Sequence, residues 1–299
     1  VKAIILGSAA GGGVPQWNCR CSICQMARAG DPRVLPRTQS SLAISEDGET
    51  WLLVNASPDI RQQLFDTPEL HPKHGARHSP IAAVLLTNGD VDHVAGLLTL
   101  RETQPFRLYA TSSVRDAVDA NRIFAVCAPD LVPRHPIELG IPFEPVNGLT
   151  VEMFAVPGKV ALWLEDASMK IGEATENTVG LEIAAGGKQL LYIPGCAEVT
   201  DAVRDRIRGA DMLLFDGTMW TDDEMVEAGL GTKTARRMGH IPLSGEGGSI
   251  EKLRDVPVAR RAFVHINNTN PILIDGSAER TAAAASGWEI GFDGMRITL

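Results

Sequence analysis

The chain has 299 residues, of which 44% are hydrophobic and 22% charged, a balance that supplies a substantial core and excludes a disordered polymer. With 28 basic against 37 acidic residues the formal charge is −9, which argues against sequence-independent nucleic-acid binding. The N-terminal apolar run 1–6 is too short for a signal peptide and no run reaches membrane length, so a soluble, cytoplasmic protein is expected.

In chain order, a buried strand is expected over 2–6, followed by the glycine run Gly7, Gly11, Gly12 and Gly13. The run lacks a Gly-Lys-Ser/Thr ending and has no helical pattern behind it. It therefore reads as a tight turn that lets backbone approach a site, not as a phosphate loop. Strands over 41–45 and 51–54 flank Asp47-Gly48, a hairpin signal. Pro58 and Asp59 open a helix over 58–64, and the proline-punctuated stretch 67–80 reads as a loop. A buried strand over 81–86 precedes a helix over 94–100. A strand at 107–110, a helix from Ser112, and strands around 150–156, 178–184 and 189–193 follow. Next come a helix at 200–208, a strand at 212–215, a helix at 248–253, a strand at 261–266, a helix at 277–286 and a terminal strand near 288–290. Hairpins first and strand–helix alternation later predict an α/β fold, two sheets with helices outside, in one domain over 1–299.

The densest group of ligand-type side chains is Asp90, Asp92 and His93, directly after the 81–86 strand. Carboxylates crowded together repel unless a cation joins them; they serve equally as caps on the first turn of the next helix. Local chemistry leaves both readings open. Cys19, Cys21 and Cys24 form Cys-x-Cys-x-x-Cys, three thiolates that suit tetrahedral Zn2+ and need a fourth ligand. Five cysteines, odd in number and clustered, oppose a secreted disulfide framework. Cys127 is isolated and reads as a core thiol. His71, His74, His78 and His135 fall in polar, proline-rich stretches and read as surface histidines. The pairs Arg236-Arg237 and Arg260-Arg261 read as solvated faces. Trp17 either lines a pocket with the glycine loop or joins the core.

The central stretch resembles the His-x-His-x-Asp-His signature of the metallo-β-lactamase superfamily, whose positions fall here on Asn88, Asp90, Asp92 and His93. Further matches follow in order. Gly195-Cys196 is similar to the Gly-Asp that supplies a bridging carboxylate. Asp216-Gly217-Thr218 resembles the acidic-x-Thr strand end of the tRNase Z branch, Gly239-His240 its Gly-His, and Val264-His265-Ile266 its last metal histidine. Residues 291–295 are similar to the carboxy end of the phosphonate-pathway cyclic phosphodiesterase. The resemblance implies an αββα sandwich of two mixed sheets flanked by helices. It also implies that the first metal site is dismantled: its positions read Asn88, Asp90, no histidine near Pro157-Gly158, and Cys196. The second site survives as Asp92, His93 and His265, two histidines and a carboxylate with open positions, the pattern of non-haem Fe(II) oxygenases. Asp90 completes the metal sphere or acts as base, His240 is an acid/base or substrate donor or else a structural histidine, and Asp216 orients a ligand or binds iron itself. In the phosphodiesterase a similar cysteine cluster takes a histidine at the position of Asn268. That makes Asn268 the fourth zinc ligand, with Asn267, Asn270 or water as alternatives.

The start Gly-Gly-Gly-Val-Pro-Gln-Trp-Asn-Cys-Arg-Cys, the central Asn-x-Asp-x-Asp-His and the late His-Ile-Asn-Asn-Thr-Asn-Pro-Ile together resemble the pyrroloquinoline quinone (PQQ) biosynthesis protein B family. That resemblance implies iron- and O2-dependent hydroxylation of a tyrosine ring in a cross-linked Glu–Tyr intermediate, with other PQQ-pathway proteins as partners. A metal-dependent hydrolase, and a carrier of the quinone or its precursor toward the periplasm, are the competing expectations.

Overall fold

Alternating burial builds the strands. In Lys2–Gly7 (β1), Ala3 and Ile5 enter one apolar cluster while Ile4 and Leu6 enter another, because successive side chains leave opposite faces of a strand. The computed structural model describes residues 1–165 and 171–299. After β1 come Ser41–Ser45 (β2), Trp51–Val54 (β3), Ile81–Leu85 (β4), Arg107–Thr111 (β5) and Arg134–Ile137 (β6). Then follow Phe143–Val146 (β7), Leu149–Gly158 (β8), Glu173–Ala185 (β9), Lys188–Ile193 (β10), Met212–Asp216 (β11), Arg260–Val264 (β12), Glu289–Ile290 (β13) and Arg296–Thr298 (β14).

Two seven-stranded sheets result, ordered β14-β1-β2-β3-β4-β5-β6 and β13-β12-β11-β10-β9-β8-β7. Each is mixed. The first is antiparallel through β3 and parallel from β3 to β6; the second is antiparallel from β7 to β10 and parallel from β10 to β13.

The apolar clusters divide the molecule into layers. Ile5, Leu42, Leu52 and Leu85 of the first sheet share a cluster with Leu181, Leu190, Leu214 and Val264 of the second. The opposite face of the first sheet packs Leu53 and Val84 with Ile60, Val114 and Val118 of the helices Ile60–Phe65 and Ser112–Asp119. The opposite face of the second packs Leu213, Phe215 and Phe263 with Val203, Ile207 and Ala283 of the helices Asp201–Ile207 and Ala278–Ala285. This is the αββα sandwich expected from the sequence. Thr111, Thr200 and Ser277 cap the helices Ser112–Asp119, Asp201–Ile207 and Ala278–Ala285, each accepting from the amide three residues on.

Several elements differ from the sequence reading. The strands β6, β7 and β14 were not anticipated. β6 and β7 are short and only partly buried, so apolar alternation is weak there. The strand near 288–290 does not close the chain: β14 follows it and pairs with β1 in the other sheet. The helix placed at 94–100 begins earlier, at Val91–Val94, and tightens into a 3-10 turn over Ala95–Leu98. Stretch 67–80 holds a 3-10 turn at Pro68–Leu70. His135 lies on β6, stacked on Tyr109 with centroids 5.0 Å apart, not in a surface loop. Trp17 is 86% exposed, which removes the core reading. Among the described residues no helix is long and apolar enough to cross a membrane.

Candidate metal centre

The C-terminal ends of parallel strands bring the ligand-type residues together, where open α/β sheets habitually bind ligands. Asp92 and His93 follow β4, Cys196 follows β10, Asp216 ends β11 and His265 follows β12. Alternation along β11 places Met212 and Leu214 between the sheets, and Asp216 continues that series at the strand end. At His265 the backbone turns left-handed, with φ 55°, which ends the alternation of β12. A non-glycine residue held there carries local strain, a feature that clusters at functional sites.

Three atoms face one another. His265 Nε2 lies 3.2 Å and His93 Nε2 4.0 Å from Asp92 Oδ2. The ring centroids of His93 and His265 are 5.4 Å apart. An ion about 2.0–2.2 Å from each donor keeps neighbouring donors roughly 3–3.5 Å apart, close to this spacing. His93 Nε2 is buried and has no hydrogen-bond partner within the protein, an arrangement that is costly unless something accepts its lone pair. The residues therefore fit a metal ion.

The other ring nitrogens are already committed. His93 Nδ1 donates to Asn88 Oδ1 at 2.5 Å, and the same oxygen accepts from the Asp90 amide at 2.9 Å. His265 Nδ1 donates to Thr218 Oγ1 at 3.0 Å, and Thr218 Oγ1 donates to Asp216 Oδ1 at 2.6 Å. Both histidines are thus set to present Nε2 to the ion, the arrangement by which outer partners orient metal ligands. Electrostatics agree. Burial opposes charge on Asp92, but His93 and His265 outweigh it and hold the carboxyl well below the usual range. Burial disfavours the imidazolium of His93 and lowers it. Burial also opposes protonation of His265, yet its contact with Asp92 raises it.

Asp216 is fully buried and saturated with donors. Oδ1 accepts from the amide and hydroxyl of Thr218; Oδ2 accepts from the Cys196 amide at 2.9 Å and from His240 Nδ1 at 2.7 Å. Asp216 also belongs to a possible ligand group with His240 and His265. Its four donors favour the orienting alternative over direct ligation. His240 is left with Nε2 uncommitted, and its ring stacks on His265 with centroids 5.3 Å apart. Asp90 sits at the N-terminus of Val91–Val94 without a side-chain cap bond, so the capping alternative fails at that residue. Cys196 donates its thiol to Glu198 O at 3.1 Å, and burial pushes that thiol far up, which disfavours a thiolate ligand.

These residues line a cavity of about 460 Å³ whose wall includes Asn88, Asp90, Asp92, His93, His240 and His265. Sequence reasoning missed three parts of it. Asn88 read only as a lost ligand, whereas it seats His93. Thr218 read as part of a strand-end motif, whereas it joins His265 to Asp216. The cavity also takes Lys159, Glu165 and Lys233, and the methionines Met219, Met225 and Met238; nothing in their spacing announces a site. A larger surface groove of about 760 Å³, bounded by Phe65, His71 and Phe106, brings no metal-ligand group together among the described residues.

The second cluster lies at the opposite end of the 8–28 loop. Cys19, Cys21 and Cys24 place their sulfurs within 4.8 Å of one another. Asn268 closes the fourth side, its side-chain amide 3.2, 3.6 and 3.3 Å from the three sulfurs in that order. Facing thiols, the amide NH2 donates; facing a cation, the same side chain would turn its oxygen inward. The alternatives are engaged elsewhere. Asn267 donates to Thr269, and Asn270 donates to Gly217 O and caps Ile272. Cys127 is a buried core thiol bonded to Leu97 O at 3.3 Å.

Two facing seven-stranded sheets with a histidine–aspartate cluster at their strand ends define the metallo-β-lactamase class, and the Beta-lactamase superfamily domain matches residues 50–266. Over all 299 residues the chain is 66% identical to the coenzyme PQQ synthesis protein B of Methylobacterium nodulans, covering 100% of both proteins. It is 53% identical to the protein of that name from Rhizobium meliloti, covering 100% of this chain and 98% of the relative. The chain belongs to the coenzyme PQQ synthesis protein B family. The crystal structure of Zn2+-bound PqqB from Methylobacterium extorquens superposes with a TM-score of 0.99 at 64% identity, covering 100% of both chains. A diphosphatase of the PhnP family, with a TM-score of 0.69, 19% identity and coverage of 100% and 97%, shares the fold alone.

Proposed function

We propose that this chain hydroxylates the tyrosine ring of the cross-linked Glu–Tyr intermediate of PQQ synthesis, in the cytoplasm, with Fe(II) held by Asp92, His93 and His265. The observation that carries this reading is the one-sided donor set. One site keeps two histidines and a carboxylate with an orphaned Nε2. At the positions of the dismantled first site stand a neutral amide and a buried thiol, both engaged in other bonds. Hydrolysis by a hydroxide shared between two metals loses its machinery, whereas a single ion with open positions suits O2 chemistry.

Fe(II) in that site supplies the activation of O2. The ring C–H becomes C–OH, the second oxygen atom leaves as water, and two electrons and two protons come from an external reductant. The protein residues do the rest. Asn88 and Thr218 hold the two histidine rings. His240, anchored through Nδ1 by Asp216, exchanges the phenolic proton at Nε2. Asp90, on the cavity wall, is a second base within the same space. The thiol cluster with Asn268 holds a structural Zn2+.

The test is turnover of the cross-linked substrate by Fe(II)-loaded protein with and without 18O2. Product gaining one labelled oxygen, only when O2 is present, is expected. Turnover that proceeds equally without O2 would overturn the oxygenase and favour the hydrolase. Asp92→Ala and His265→Ala should each abolish the reaction.

A further inference from the structure

Two ammonium groups converge on one carboxylate inside the metal-site cavity. Lys159 Nζ lies 3.0 Å from Glu165 Oε1, and Lys233 Nζ lies 2.9 Å from Glu165 Oε2. Lys159 and Glu165 are largely withdrawn from solvent, with side chains 12% and 14% exposed. One carboxylate needs only one cation. Among the described residues Lys233 supplies a second cation beside Glu165 at a partly exposed position, so an entering anion meets two ammonium groups at this end of the cavity.

The placement is built. The stem of Lys159 lies against Gly239, where a β-carbon would meet Lys159 Cγ at 3.0 Å, so bare backbone beside His240 makes room for it. Thr178 Oγ1 donates to Lys159 O at 2.9 Å, and the Trp163 indole donates to Gly89 O at 3.0 Å. The Trp163 bond straps segment 159–165 onto the loop that carries Asp90, Asp92 and His93, and the Thr178 bond ties it to β9. Glu165 offsets the repulsion of the two ammonium groups and fixes them as a pair. An ammonium has three donors. Among the described residues, Lys159 donates to Val160 O and ion-pairs with Glu165 Oε1, and Lys233 donates to Glu165 Oε2. Within the described residues each keeps a donor for a further acceptor. Met219, Met225 and Met238 supply an apolar, polarisable wall of the same cavity, of the kind that suits an aromatic ring.

We infer that Lys159 and Lys233 form a carboxylate-binding subsite, positioned by Glu165, that anchors an aromatic substrate by its acidic groups while the methionines hold the ring. The inference rests on the proposed function in taking this cavity as the seat of an acidic, tyrosine-containing substrate. Charge-assisted hydrogen bonds of this kind correspond to about 10- to 100-fold in affinity.

The test is calorimetric binding of the dipeptide Glu-Tyr, and of its dimethyl ester, to Zn2+-loaded full-length protein, a measurement that needs neither O2 nor turnover. Lys159→Gln and Lys233→Gln should each weaken the diacid about 10-fold or more and leave the ester within about 3-fold. Lys159→Arg, which keeps the charge, should stay within about 3-fold of wild type for both ligands and separates loss of charge from misfolding. Absence of diacid binding to wild type, or equal loss for diacid and ester in the glutamine variants, overturns the subsite. Failure of the O2-dependence test instead overturns the chemistry and leaves this binding result standing.

Discussion

Asn88 occupies a position where a metal-binding histidine would be expected from the signature, yet its amide oxygen is what holds His93 in place. The neutral side chain accepts from His93 Nδ1 and so dictates which ring nitrogen faces the candidate metal position. Loss of such a partner typically lowers metal affinity about 10- to 100-fold. Asn88→Ala should therefore weaken metal binding by that factor in chelator competition, while Asn88→Asp, which keeps an acceptor, should retain most of it. Equal affinity in Asn88→Ala and wild type would remove the orienting role. Thr218 performs the matching task for His265, since its hydroxyl accepts from that ring and donates to Asp216.

At the scale of elements, the 8–28 loop is laced to the segment after β12. Ala10 N donates to Ile266 O and Ile266 N to Ser8 O, both at 2.9 Å. The thiols of the helix Ser22–Arg28 and its approach close on Asn268, three residues past His265. The far end of that loop brings Gly11 to the metal site, where a β-carbon would stand 3.6 Å from Asp92 Cγ. One brace thus positions both the cavity wall and the His265 strand end. Cys24→Ser should remove one equivalent of zinc by elemental analysis and lower the Tm, with the metal at Asp92, His93 and His265 retained. Unchanged zinc content would show that the cluster holds no structural ion.

The whole molecule separates stability from chemistry. Leu214 is fully buried between the sheets, in the cluster that includes Leu85 and Leu190. Leu214→Ala should cost about 2–5 kcal/mol in denaturant titration. Metal affinity should change little, because the donors sit beyond the strand ends and are held by their own hydrogen bonds.

The sequence by itself determined the sandwich and pointed to the candidate metal donors. Apolar alternation marked most of the strands, and Asp92, His93 and the thiol triplet stand out because the signature and the Cys-x-Cys-x-x-Cys spacing are local patterns. His265 was reached through its resemblance to a last metal histidine, 172 residues beyond His93 in number but beside it in space, with rings 5.4 Å apart. Short, half-exposed β6, β7 and β14 left no such trace, since their pairing is set by neighbouring strands rather than by their own side chains. Only the tertiary structure decided what Asn88, Asp216 and Thr218 do, because a hydrogen-bond partner is defined by geometry and not by residue type. It alone brought Lys159, Glu165 and Lys233 into the metal cavity, since charges distant in sequence meet only when two loops close on the same strand ends.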